Sequence, residues 1–337
     1  MVTDGFRIVP EHEAASKWDG WLAAFENRAI RQSHAWGRHK TGGWTPLHAA
    51  FFNKGEPSAM ALILTRRAPL GAATLAWANA GPVFRDLSAL RYFLNGLTAH
   101  FRSVPRAVLR VAPRVPGGPA MEAALTDAGF SPARSPIDSG RTVVVDLRRD
   151  VEAMRASLDK KWRNQLKKAE SFSPSFEFGR SRDLLERVLR LHDETRKRKK
   201  LKDSIDLPAL ERAVRDFGPA LTFSVGSVNG VDGSAMSWWN FSGRATLWLS
   251  AVNENGMHLC LPNAAYWEAM VRLRDEGAQS FDLSGIDAKL NPGVTHFKLG
   301  AGGAEVVTPG EWDWSATALP RAAFNALLGA VRGRMPR

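Results

Sequence analysis

Apolar runs at residues 45–50 and 58–65 flank Asn53-Lys-Gly-Glu56, which predicts a β-hairpin turning at Lys54-Gly55. Apolar positions at helical spacing over residues 88–102 predict a helix, and Ala107-Val-Leu-Arg-Val-Ala112 predicts the strand that follows it. A further helix over 119–128 stops at Gly129, and Thr142-Val-Val-Val-Asp-Leu147 reads as another strand. The order then repeats. Strand 221–228, the turn Asn229-Gly230, strand 234–241, the turn Ser242-Gly243 and strand 245–251 lead to a helix over 262–276, ended by Gly277, and to strand 280–283. Two similar α/β units with mixed sheets are the economical explanation, at residues 1–147 and 148–337, with the polar stretch 148–155 as the junction.

A chain of 337 residues exceeds the usual size of one hydrophobic core, which agrees with two domains. Lys and Arg number 46 against 34 Asp and Glu, a formal charge of +12 that favours partners carrying phosphate. A single cysteine, Cys260, excludes an internal disulfide and a multi-thiolate zinc site, and reads as a small core residue in a reducing, cytoplasmic setting. The N-terminus lacks a basic region followed by an apolar core, and no run of about eighteen apolar residues occurs, so the expectation is a protein that does not span a membrane.

Chemistry concentrates near the C-terminal end. Phe281 and Leu283 alternate with Asp282 and Ser284 as in a short strand, Pro292-Gly293 breaks regular structure, and Phe297-Lys-Leu-Gly-Ala-Gly-Gly303 sets Lys298 beside three glycines whose backbone amides are expected to be open to a ligand. A structural lysine at a turn is the alternative. Upstream, Ser157 is an N-cap candidate for a helix that puts Leu158, Trp162, Leu166 and Ala169 on one face and Lys160, Arg163 and Lys167 on another, flanked by Lys161 and Lys168. Such a face suits phosphate contacts or is a solvated basic surface. Eight Lys or Arg between Arg187 and Lys202 close a second helix, only part of which the helix dipole accounts for.

In the first half, Gln32-Ser-His-Ala-Trp-Gly-Arg-His-Lys40 reads as a short helix with Trp36 inward and Lys40 one turn later, and a Gly81-Pro82 turn leaves Asp86 accessible. The eight histidines show no His-x-x-x-His pair, so no metal is expected, and no nucleophile elbow, Walker loop or dinucleotide fingerprint occurs.

Taken together, Gln32-Ser with Trp36 and Lys40, Gly81-Pro82-Val83, the basic helix and the Phe281–Gly303 block resemble the Fem-type aminoacyl-tRNA-dependent transferases, which add amino acids to peptidoglycan precursors with two tandem GNAT-like domains. The resemblance implies that Lys298 lies at the acyl-transfer site with Phe297 beside it. It implies that Lys40 and Arg198, or Arg196, hold the acceptor's diphosphate together with Trp36, and that Asp86 falls near a possible general base. No coiled-coil arm is expected. The implied partners are aminoacyl-tRNA, on Lys160, Lys161, Arg163, Lys167 and Lys168, and a UDP-linked or other peptide or amine acceptor. No cofactor is implied. One departure bears on the acceptor: an aromatic-glycine-alanine pattern is replaced by Trp248-Leu-Ser-Ala251.

The competing reading is an acyl-CoA-dependent N-acyltransferase, since Arg114-Val-Pro-Gly-Gly-Pro119 comes close to a pyrophosphate-binding loop at a helix N-terminus. A non-catalytic RNA-binding protein is the third, in which the basic clusters matter and Lys298 does not.

Overall fold

The structure, a computed structural model, describes residues 4–40, 42–67, 73–200 and 205–333. It divides into two compact units, Met1–Arg141 with Val306–Arg337, and Thr142–Glu305. This departs from a boundary after residue 147 in two ways. Strand Arg141–Asp146 pairs with Ser280–Gly285 and so belongs to the second sheet, and the C-terminal segment returns to the first unit.

In the first unit the main sheet runs Gly5–Val9, Thr45–Asn53, Glu56–Arg67, Thr74–Ala78, Ala107–Val111, Trp312–Trp314, Ser131–Pro132. Thr74–Ala78 and Ala107–Val111 pair in parallel over all five residues. The helix Leu87–Arg102 buries Leu90, Phe93, Leu94, Leu97 and Phe101 against this sheet. Each such side chain contributes about 1.5–3 kcal/mol when taken fully out of water. Trp312–Trp314 is inserted beside Ala107–Val111 and pinned by charge: Arg110 Nε and Nη2 donate to the two carboxylate oxygens of Asp313 at 2.7 and 2.9 Å, and Nη1 donates to Glu311 at 2.6 Å. All three side chains are buried.

In the second unit the order is Ala304–Val307, Arg141–Asp146, Ser280–Gly285, Arg244–Val252, Val231–Phe241, Leu221–Val228, Ser175–Gly179. Here too a meander of antiparallel strands leads to one parallel pair, Arg244–Val252 with Ser280–Gly285. Helices Lys160–Glu170 and Leu261–Asp275 pack on the core through Trp162, Leu166, Ala169 and Ala265, Tyr266, Ala269, Met270. Cys260 caps the second of these in a left-handed conformation and packs, partly buried, against the same core.

None of the described helices exceeds the 18 residues of Arg182–Lys199, so no coiled-coil arm occurs among the described residues. No described helix is long and apolar enough to cross a membrane. Lys202, expected in the second basic cluster, lies outside the described residues.

Candidate active site

The two units differ where their parallel strands meet. In the second, pairing covers only Arg244↔Ser280, Ala245↔Phe281 and Thr246↔Asp282, after which the nine-residue strand Arg244–Val252 and its neighbour part. The same point carries a bulge against Arg141–Asp146, where the register shifts between Asp282 and Gly285. Ser284 takes φ +64°, its backbone N–H donates to Asp282 Oδ1 at 2.8 Å, and its hydroxyl donates across the parting to the Leu247 carbonyl. Asp282 Oδ1 also accepts from the Thr142 hydroxyl. The bulge thus frees carbonyl groups from the ladder at the mouth of the split.

Lys298 takes up those carbonyls. Its Nζ donates to Ser284 O at 3.2 Å and to Gly285 O at 2.9 Å, and the side chain is buried. Burial pushes its pKa down from the ordinary lysine range to about 8, the Asp282 carboxylate acting against the shift and the Lys199 charge with it. The pKa of Lys199, at the exposed end of helix Arg182–Lys199, is itself lowered by partial desolvation and by Arg198. Nothing in the sequence singles out Lys199 from its basic neighbours, because only the fold sets its charge against Lys298.

Lys298 sits on a helix, Pro292–Leu299, and not on a turn: Pro292 occupies the first helical position, where its missing N–H costs nothing. Phe297, one residue earlier, faces elsewhere and packs between Trp162 and Tyr266, with ring centroids 5.8 and 4.9 Å away. It lines a cavity of about 290 Å³ with Asp159, Lys161, Trp162, Gln165, Gly293, His296 and Gly300, none of which is Lys298.

The glycines after Lys298 are closely packed, and the Gly300 N–H is already donated to His296 O at 3.1 Å. A Cβ at Gly300 would lie 3.2 Å from both Asp159 and Trp162, one at Gly302 would lie 2.5 Å from Ser157 Oγ, and one at Gly303 would meet Val143 and Val144. They let the chain pass close to residues 143–162, and Gly300 O accepts from Asp159 N at 3.0 Å. The basic helix begins later than its sequence suggests for the same reason. Ser157 ends helix Val151–Ser157, with its hydroxyl on Met154 O, and Asp159 precedes helix Lys160–Glu170.

On that helix Lys160, Lys161 and Lys168, with Asn164 and Gln165, line an open groove of about 520 Å³. Lys167 does not line it. Arg163 is committed elsewhere, donating to Ala156 O at 2.9 Å and to Leu158 O, so it closes the preceding helix. Arg198 donates to Val252 O at 3.0 Å, and Arg196 to Asp193 at 3.3 Å.

The remaining sequence-predicted residues lie in the first unit. Ser33 caps helix His34–His39, which buries Trp36 and sets Lys40 Nζ 5.0 Å above the Trp36 ring. Gln32 bonds Leu62 N and O and Asn79 O, and a Cβ at Gly81 would fall 2.4 Å from its side chain. Two motifs far apart in sequence therefore form one structural contact. Asp86 is a helix cap, accepting from Ala89 N at 2.8 Å.

The loop Arg114–Pro119 is poorly suited to a pyrophosphate. Pro119 has no N–H, the Gly117 N–H is taken by Val307 O at 2.8 Å, and Arg114 pairs with Asp138 at 2.5 Å.

Residues 156–299 match the acetyltransferase (GNAT) domain family. No curated protein matches the sequence. Among solved structures, the crystal structure of FemX shares 15% identity with a TM-score of 0.84, over 95% of this chain and 99% of that one. The C-terminal domain of a putative lysylphosphatidylglycerol synthetase from Agrobacterium fabrum gives 14% and 0.57, over 95% and 97%. A tandem GNAT protein from the clavulanic acid biosynthesis pathway gives 14% and 0.56, over 93% and 98%. With its paired sheets and its matching second unit, the chain has the tandem GNAT-like fold seen in FemX.

Proposed function

We propose that the protein is an acyltransferase that moves an amino acid from aminoacyl-tRNA to an amine of a peptidoglycan precursor or a related peptide or small-molecule acceptor. The observation that carries this reading is Lys298, a buried ammonium clamped at the mouth of the split between the parallel strands of the second unit. An ammonium has three donors, and two are held by Ser284 O and Gly285 O, which leaves one aimed by its neighbours for a developing oxyanion.

The reaction is aminolysis. The neutral acceptor amine attacks the ester carbonyl, a carbon–nitrogen bond forms, the bond to the ribose oxygen of the tRNA 3′ end breaks, and the proton lost by the amine ends on that oxygen as a hydroxyl. Such a transfer is downhill, so positioning and oxyanion stabilisation carry most of the catalysis. In this reading Lys160, Lys161 and Lys168 contact tRNA phosphates along their groove, which gives affinity without sequence readout. The first unit carries the acceptor, with Lys40 on its phosphates. The relatives support the donor: FemX and the lysylphosphatidylglycerol synthetase domain share this fold.

The GNAT match favours acyl-CoA as the alternative donor, and one experiment separates the two. Labelled amino acids in a mixed pool of charged tRNA are offered with candidate amine acceptors, with and without ribonuclease, beside labelled acetyl-CoA. Ribonuclease-sensitive transfer that is lost in Lys298→Ala, with RNA affinity kept, is the expected result. Label moving only from acetyl-CoA overturns the tRNA reading, and RNA binding without any transfer makes the chain a binding protein.

A further inference from the structure

Glu11, His34 and His48 meet in the first unit, although nothing in their spacing announces it. Glu11 opens helix Glu11–Ala23, His34 opens helix His34–His39, and His48 lies in strand Thr45–Asn53. One Glu11 carboxylate oxygen is 2.7 Å from His34 Nε2 and the other is 3.5 Å from His48 Nδ1. The two imidazoles stack 5.4 Å apart at 25°, and one donor atom from each of the three residues lies within 4.8 Å of the others.

The Glu11–His34 contact alone would be an ordinary ion pair at a surface. His48 makes it more. Its side chain is 2% exposed, and its Nδ1, the ring nitrogen that faces Glu11, reaches that carboxylate only at 3.5 Å, the outer limit of a hydrogen bond. A buried imidazole nitrogen at that distance from a carboxylate is weakly bonded as it stands, and an ion ligated by both would satisfy it. Both histidines are also held in place by the fold. The Trp18 ring packs edge-on to His48 at 4.6 Å, with its own Nε1 donating to Gln32 O, and the His34 backbone N–H donates to Asp19 at 2.7 Å.

We infer that Glu11, His34 and His48 bind a divalent transition-metal ion, with zinc the best match. Two imidazoles and one carboxylate are a donor set that zinc takes, at bond lengths of about 2.0–2.2 Å, which put tetrahedral ligand atoms roughly 3.3 Å apart. The separations of 2.7 and 3.5 Å bracket that value. Glu11, 62% exposed, forms the open rim, so the fourth position faces water. The ion would clamp the first helix and the short helix onto the hairpin strand. This revises the expectation of no metal: the histidines are 14 positions apart in sequence and on different elements, so no motif reveals them.

The test uses the full-length chain without an affinity tag, stripped by chelator and titrated with zinc chloride, with bound metal counted after dialysis. One zinc per chain is expected, with a rise in melting temperature. Glu11→Gln, on an exposed side chain, and His34→Ala, on a partly buried one, weaken binding at least about tenfold. Each also abolishes the thermal shift while the circular dichroism of the metal-free chain is unchanged. Cobalt substitution should give tetrahedral visible bands without a thiolate charge-transfer band. Absence of stoichiometric zinc, or stoichiometric zinc that survives both substitutions, overturns the inference.

Discussion

Lys298 carries a charge that its surroundings resist, and two measurable consequences follow. Between pH about 8 in the folded chain and the ordinary 10.5 in the unfolded one, the unfolded state binds the extra proton, so stability rises with pH across that window. The penalty is fully present below pH 8 and is gone above 10.5, a change on the order of 3 kcal/mol for this buried group. Urea unfolding at the two ends of the window should show the rise in the wild type and lose it in Lys298→Met; identical profiles would mean that the lysine is not held as described. In the proposed reaction the ammonium is the active form, so the ratio of wild-type transfer to that of Lys298→Arg, whose charge does not titrate, falls as pH rises through about 8, and a ratio that stays flat from pH 7 to 9 would remove Lys298 from oxyanion stabilisation. Lys298 was legible in the sequence because a lysine followed by three close-set glycines is unusual. Its partners were not, because Ser284 and Gly285 present their carbonyls only where a bulge breaks the ladder. The sequence reading of Asp86 allowed a general base, and the structure gives its carboxylate to the Ala89 amide instead.

At the scale of single elements, helix Lys160–Glu170 is legible as an amphipathic segment, and its apolar stripe of Trp162, Leu166 and Ala169 is buried as the 3.6-residue period requires. The basic side divides by what lies next to it. Lys160, Lys161 and Lys168 face a groove, whereas Arg163 bends back to the carbonyls of Ala156 and Leu158. The prediction separates the two roles. Replacing any of the three lysines by alanine should lower RNA affinity and reduce the slope of log affinity against log salt by about 0.7–0.9. Arg163→Ala should instead cost about 1 kcal/mol of stability and leave the salt slope nearly unchanged. Equal salt slopes for all four variants would return Arg163 to the phosphate-contacting set. The difference could not be read from spacing, because helix Val151–Ser157 ends where a single longer helix was expected to begin.

For the whole molecule, the chain enters the first unit, crosses to the second at Thr142 and returns at Val306. The return rests on Arg110 and its two buried acidic partners, Glu311 and Asp313. Asp313→Ala leaves a buried guanidinium short of one carboxylate and should cost about 3–5 kcal/mol. Hydrogen exchange should quicken in Ala107–Val111 and Thr74–Ala78 and stay slow in Leu221–Val228; uniform quickening would mean that the units do not unfold separately. By itself the amino-acid sequence determined the elements that depend on local pattern: the hairpins at Lys54-Gly55 and Asn229-Gly230, the helix over residues 88–102 and the one ended at Gly277, the repeated α/β order, and a basic chain with a lysine beside glycines. Periodicity and turn chemistry act over a few residues, so they survive without knowledge of the fold. Only the tertiary structure decided that the parallel strands part after Thr246, that Gly302 makes room for Ser157 and not for a ligand, that Gln32 meets Gly81, and that His34 and His48 share Glu11. Each is a contact between segments distant along the chain, set by how sheets and helices close on one another and by nothing in the local pattern of either partner.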